Sequence, residues 1–221
     1  MPSKYQIISG LAAQTSVAAT SNTRRYLEFL RTAARNYKYT YDEQILIHAQ
    51  KPDATACADM ATWNRLGRWV NRGTRGIALL SETTLPYKLR YVFDISDTNS
   101  YYNREVSLWQ LRPVMIPAVT EALSNAYGET PDVSSFPEKI MELSAMLAED
   151  NLSDYAAMLR DAKADSLLED LDDDNLNYRL RFLTQNSIAF MVLSRCGVDP
   201  MDYYVPEDFA WVIDFNTPEA A

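Results

Sequence analysis

Between Trp63 and Gly76 the chain reads Trp-Asn-Arg-Leu-Gly-Arg-Trp-Val-Asn-Arg-Gly-Thr-Arg-Gly, which brings Arg65, Arg68, Arg72 and Arg75 together with Trp63 and Trp69. Unpaired nucleic acid is held by this mixture: cations meet the phosphates, and flat rings or guanidinium planes stack on the bases. Gly73 and Gly76 would let the backbone approach a ligand closely. The same residues also fit a plainer assignment, in which both tryptophans are core residues and the arginines line a solvated turn, since tryptophan is highly buried on average.

Other chemistries lack their parts. One histidine, His48, occurs in the whole chain, so neither an HExxH zinc site nor any pair of histidine ligands can be assembled. Its apolar helical neighbours read as those of a structural histidine. No GxxxxGK[ST] loop, GxGxxG turn or GxSxG elbow is present, and six glycines offer little material for a phosphate-cradling loop. Asp94, Asp97 and Glu105 could form a carboxylate cluster for magnesium, but capping and turn roles account for the two aspartates. The run Glu169 to Asp174 lacks the alternating ligands and central glycine of a calcium loop, and reads as a solvated connection. No catalytic residue, metal or cofactor is expected.

The elements that must position the basic and aromatic segment follow from periodicity. Tyr26, Phe29, Leu30 and Ala33 recur at helical spacing and predict a helix over Arg24 to Tyr37, with Ser21 or Asn22 as its cap. Thr40 and Glu43 have capping-box spacing and open a second helix that Pro52 ends. A third spans Asp59 to Leu66 and stops at Gly67. Ile77 to Leu80 and Leu89 to Ile95 read as strands that pair across the Ser81 to Lys88 loop. Beyond Trp109 the pattern is helical only, at about Pro117 to Tyr127, Phe136 to Ala148, Tyr155 to Lys163 and Tyr178 to Cys196, with Gly128 and Gly197 where C-caps belong. The expected class is α+β, mostly α: N-terminal helices with a small antiparallel sheet, then a helical C-terminal half. A basic and aromatic α+β domain is assigned to 22–110, and an acidic helical domain or extension packed on it to 111–217.

The chain has 221 residues, enough to bury a full core without disulfides or metals. Cys57 and Cys196 form no CxxC pair and read as thiols of a reducing compartment. Residues 7–19 are too interrupted by polar side chains for a signal peptide, and no stretch of eighteen apolar residues occurs, so the cytosol is the expected location and no membrane partner is expected. The net charge of −9 argues against a polyanionic partner only as an average. From Arg24 to Arg90 there are twelve Lys and Arg against six Asp and Glu, whereas from Tyr91 onward there are eight against twenty-four. The chain is electrically split.

The string from Tyr39 to Cys57, Tyr-Thr-Tyr-Asp-Glu-Gln-Ile-Leu-Ile-His-Ala-Gln-Lys-Pro-Asp-Ala-Thr-Ala-Cys, is followed by Trp63, by Gly67-Arg68-Trp69-Val70-Asn71-Arg72-Gly73 and by Gly76-Ile77-Ala78. Together with the segment from Tyr91 to Thr98, this order of motifs resembles the N-terminal domain of ArdC-type antirestriction proteins over Arg24 to Thr98. Ser187-Ile188-Ala189, Leu193 to Gly197 and Ile213 to Thr217 resemble the N-terminal region of very large proteins of Firmicutes conjugative elements, which continue into helicase and DNA-methylase domains. The resemblance implies a single-stranded DNA-binding module of a mobile genetic element, with Tyr41, Gln44, Gln50, Thr55, Trp63, Arg68, Arg72 and Gly73 at the family's motif positions. Two departures stand out: the HExxH of the metalloprotease-like domain that follows in ArdC-type proteins is absent, and the acidic helical half has no counterpart in the short family domain. The ending near Asn216-Thr217 reads as that of one piece of a longer architecture.

The expected DNA contacts are therefore Tyr41, Gln44, Lys51, Thr55, Trp63, Arg65, Arg68, Trp69, Arg72 and Arg75. The expected partners are single-stranded DNA and, further, a host defence nuclease or downstream helicase and methylase domains. A rival from another class is an acidic interaction module that imitates nucleic acid and blocks a defence nuclease, since dense carboxylates steer onto cationic partners.

Overall fold

A computed structural model describes residues 2–81, 88–100, 106–128, 135–163 and 166–217. Its class is α+β and mostly α: eight α-helices and two small antiparallel sheets among the described residues. Helix α1 (Lys4–Thr20) precedes the elements anticipated above and is capped by Ser3. Its apolar residues are diluted by Ser, Thr and Gly, so periodicity does not announce it; Ile8, Leu11 and Ala12 nevertheless pack into the core. Helix α2 (Thr23–Arg35) is capped by Asn22, whose side chain accepts from the Arg25 N–H. In α3 (Tyr41–Gln50) Glu43 reaches back to the Thr40 N–H at 3.2 Å, as the capping-box spacing requires.

The sheet of three strands has the order β1 (Cys57–Ala58), β4 (Lys88–Asp94), β3 (Ile77–Ser81), all antiparallel. Ile77 stands opposite Val92 and Ser81 opposite Lys88, so the two long strands pair as anticipated; most of the loop joining them lies outside the described residues. Helix α4 (Met60–Arg65) leads into β2 (Trp69–Val70), which pairs with β5 (Thr98–Asn99). Leu46 and Ile47 of α3 pack on Ile77, Leu79 and Val92 to form one of two buried clusters.

The C-terminal half holds α5 (Ile116–Tyr127), α6 (Phe136–Asp150), α7 (Leu152–Ala162) and α8 (Asp173–Cys196), followed by a 3₁₀ run at Pro206–Phe215. Helix α8 begins five residues before the expected Tyr178. The acidic run is therefore only partly a connection: Asp172 caps α8 by accepting from the Asn175 N–H at 2.8 Å, and Asp173 and Asp174 sit in its first turn, where carboxylates favour the helix dipole. The α8 helix ends at Gly197, left-handed at φ +80°, as its glycine foretold. The larger buried cluster joins Leu27, Phe29 and Leu30 of α2 to Leu183, Phe190 and Leu193 of α8 and to Phe209 and Val212. Residues from both halves of the chain thus share one core. Among the described residues, no helix is long and apolar enough to cross a membrane, and no group of three or more His, Cys, Asp or Glu could hold a metal ion.

Candidate nucleic-acid interface

Helix α4 is short because Asp59 caps it, accepting from the Thr62 N–H at 2.6 Å, and Gly67 at φ +74° turns the chain into β2. This turn separates the two tryptophans. Trp63 is 2% exposed and its Nε1 donates to the Phe93 carbonyl at 2.8 Å, so its indole ties α4 to β4. Trp69 is 50% exposed. The expectation that both rings stack on bases is corrected for Trp63: a buried indole with its N–H paired inside the fold presents no face to a strand.

Arg68 also turns inward. Its Nε donates to Thr98 Oγ1 at 2.6 Å and its Nη2 to the Thr98 carbonyl at 2.9 Å, binding the start of β2 to β5. Its Nε and Nη2 are engaged there, so Arg68 clamps the two short strands, and a phosphate contact would have to be made alongside these bonds. Arg65, Arg72 and Arg75 remain exposed, and none of them forms a salt bridge among the described residues. Arg72 and Arg75 sit in the turn after β2, closed by Thr74 N–H donating to the Asn71 carbonyl. Gly73 there has φ +86° with open space around it, whereas a Cβ on Gly76 would lie 3.1 Å from the Phe93 ring. Gly76 is thus needed by its own sheet rather than by a ligand.

The remaining motif residues are engaged locally. Gln44 donates to the carbonyls of Asn36 and Tyr39, and Gln50 docks α3 on β3 by donating to the Ala78 carbonyl and accepting from its N–H, both at 2.9 Å. Lys51 pairs with Asp97 at 2.8 Å and bonds Ser96. Thr55 donates its backbone N–H to Asp94 at 2.6 Å. Tyr41 bonds Ser16 through its hydroxyl at 2.7 Å and packs edge-on against Phe29, while part of its ring stays in solvent. Gln44 and Lys51 therefore brace the fold through their side chains, whereas Thr55 holds Asp94 through its backbone N–H and stays exposed.

Asp94 takes the capping role read for it in the sequence, accepting from the Ser96 N–H at 2.9 Å. Burial opposes its charge, but N–H groups of Ser96, Ala56 and Thr55 outweigh that cost and hold the carboxyl below the usual range. Asp97 faces Lys51, and Glu105 lies outside the described residues. His48 sits with Nδ1 3.0 Å from Thr32 Oγ1 and packs edge-on against Phe29; burial lowers its pKa. Burial, with Asp94 adding to it, pushes the Cys57 thiol up to about 12, far from a reactive thiolate.

A second basic and aromatic surface escaped the reading of positions 63 to 76. A cleft of about 550 Å³ opens between the α2–α3 connection, β1, the segment before α5 and the end of α8. Arg35, Lys38 and Arg195 are its cations, Tyr37 and Trp109 its exposed rings, and no Asp or Glu lines it among the described residues. The Arg195 guanidinium lies 4.9 Å from the Tyr37 ring centre and 4.6 Å from that of Trp109. Tyr37-Lys38-Tyr39 was a local signal for this surface, but nothing local joins it to Trp109 or Arg195. Compared with protein-family models, with curated proteins and with solved structures, the chain matches none of them.

Proposed function

We propose that the chain is a non-catalytic module that binds single-stranded DNA in the service of a mobile genetic element, in antirestriction or DNA transfer. One observation carries this reading: Arg65, Arg72 and Arg75 have no carboxylate partner within salt-bridge distance among the described residues, and Trp69 beside them in the chain keeps half of its surface in solvent. Cations left without acids in a chain of net charge −9 retain their capacity for phosphate. The exposed indole supplies the stacking face that unpaired bases need.

The rival, acidic mimicry of nucleic acid, draws less support from the densest acidic run, because Asp172 to Asp174 already serve the start of α8.

Fluorescence anisotropy with a labelled single-stranded oligonucleotide tests the proposal. Binding should weaken with salt at a slope of about −2 in log–log form if three phosphates are neutralised. The double charge reversal Arg72→Glu and Arg75→Glu should reduce affinity at least tenfold while leaving the melting temperature near the parent value. An oligonucleotide that fails to bind at low salt, or binding indifferent to the double reversal, removes the proposal.

A further inference from the structure

Side chains alternate along β4, and its two sides meet different surroundings. Val92 is buried among Leu46, Ile47, Ile77 and Leu79, and Arg90 pairs with Glu43 of α3. Tyr91 and Phe93 therefore stand on the side turned away from α3. Tyr91 keeps 45% of its surface in solvent, and Phe93 is half-buried. Small residues of β3 share this side. Ala78 stands opposite Tyr91, and a Cβ on Gly76 would lie 3.2 Å from the Tyr91 Cβ and 3.1 Å from Phe93 ring atoms. Among the described residues, neither ring stacks on another ring or carries a cation on its face, and the Tyr91 hydroxyl has no hydrogen-bond partner. A single exposed aromatic side chain is ordinary on a protein surface. Tyr91 is set apart by the turn next to it, which runs from Trp69 and Val70 to Gly76 and carries Arg72 and Arg75, both exposed and without a salt bridge among the described residues.

We infer that the Tyr91 side of the sheet formed by β3 and β4 is a stacking platform for an unpaired nucleic-acid strand. One base lies on the Tyr91 ring, with Phe93 and Ala78 as the apolar floor around it, and the phosphates continue past Gly76 to Arg75 and Arg72. Aromatic side chains on an open sheet face are a recurring seat for unpaired bases. A ring carried by a paired strand is already placed, so stacking costs it little freedom. The inference deepens the proposed function and rests on it for the polyanionic strand, adding Tyr91 as a stacking ring outside the segment of Trp69 and its arginines.

The test uses the full chain and fluorescence anisotropy with three labelled oligonucleotides: single-stranded DNA, RNA of the same sequence, and a strand of equal length built from abasic residues. Tyr91→Val keeps a strand former but removes the flat ring. It should weaken DNA binding about tenfold, the scale of one lost stacking contact, with the salt slope and the melting temperature unchanged. Tyr91→Phe, which keeps the ring, should bind like the parent. The abasic strand should bind the parent and Tyr91→Val alike. If the parent binds DNA and Tyr91→Val binds it equally well, the platform is overturned and strand binding is left to Trp69 and its arginines. If the dependence on Tyr91 is seen with RNA and DNA does not bind, the platform stands and single-stranded DNA binding falls. If neither strand binds at low salt, both fall. A Tyr91→Val variant that loses melting temperature and salt slope together, or a Tyr91→Phe variant as weak as Tyr91→Val, assigns Tyr91 to the fold and overturns the platform.

Discussion

Arg68 donates through Nε to Thr98 Oγ1 at 2.6 Å and through Nη2 to the Thr98 carbonyl at 2.9 Å, so that one guanidinium fastens β2 to β5. The strand pair has only two residues on each side, too few for its ladder alone to hold. Arg68→Ala should therefore lower unfolding free energy by about 1–3 kcal/mol, the usual cost of leaving a half-buried acceptor set unmet. The salt dependence of DNA binding should keep its slope. A loss of slope without a loss in thermal stability would return Arg68 to the phosphate ligands.

Trp63 and Trp69 are six positions apart in the chain and opposite in environment. Trp63→Phe keeps most of the apolar volume but leaves the Phe93 carbonyl without its 2.8 Å donor, so it should cost about 1–2 kcal/mol in urea denaturation and leave oligonucleotide affinity nearly unchanged. Trp69→Ala should do the reverse, with stability within about 0.5 kcal/mol of the parent and binding weakened about tenfold. Equal effects of the two substitutions on binding would contradict this division.

Asp94 makes stability depend on acid. Its folded carboxyl is held below the ordinary value by the Ser96, Ala56 and Thr55 N–H groups against the opposing effect of burial. A depressed folded value means that the contribution is complete above the unfolded carboxylate pKa of about 3.9 and is lost as pH falls through the folded one. Asp94→Asn should thus be less stable than the parent by about 2 kcal/mol at neutral pH, with the gap narrowing below pH about 4. Denaturation curves measured from pH 7 to 2 provide the check; a gap that stays constant would show that the charge is irrelevant.

Gly76 permits the close packing of β3 on β4. A Cβ there would lie 3.1 Å from Phe93 ring atoms and 3.2 Å from the Tyr91 Cβ. Gly76→Ala should therefore destabilise by about 1–3 kcal/mol, as overpacked sites do. Gly73→Ala meets open space but must adopt φ +86°, so its cost should be nearer 1 kcal/mol and come from backbone strain alone. Paired thermal melts distinguish them, and a milder effect at Gly76 than at Gly73 would count against the steric account.

Features set by neighbours a few residues apart were legible without coordinates. Asn22, one of two candidate caps, begins α2, the Thr40 and Glu43 pair begins α3, Gly197 ends α8, β3 shows as an apolar run after turn residues, and β4 shows by Tyr91, Val92 and Phe93. Short-range hydrogen bonds and side-chain period decide such things, and both are written in the order of residues. Tertiary structure decided the rest. The two-residue strands at Cys57, Trp69 and Thr98 have no period of their own and exist only through their partners. Which tryptophan is buried, and which arginine clamps a strand, depends on Phe93 and Thr98, about thirty residues away in the chain. The cleft needs Tyr37, Trp109 and Arg195 in one place; the packing of α8 against α2 brings Arg195 to Tyr37, and Arg195 donates to the Trp109 carbonyl at 3.0 Å.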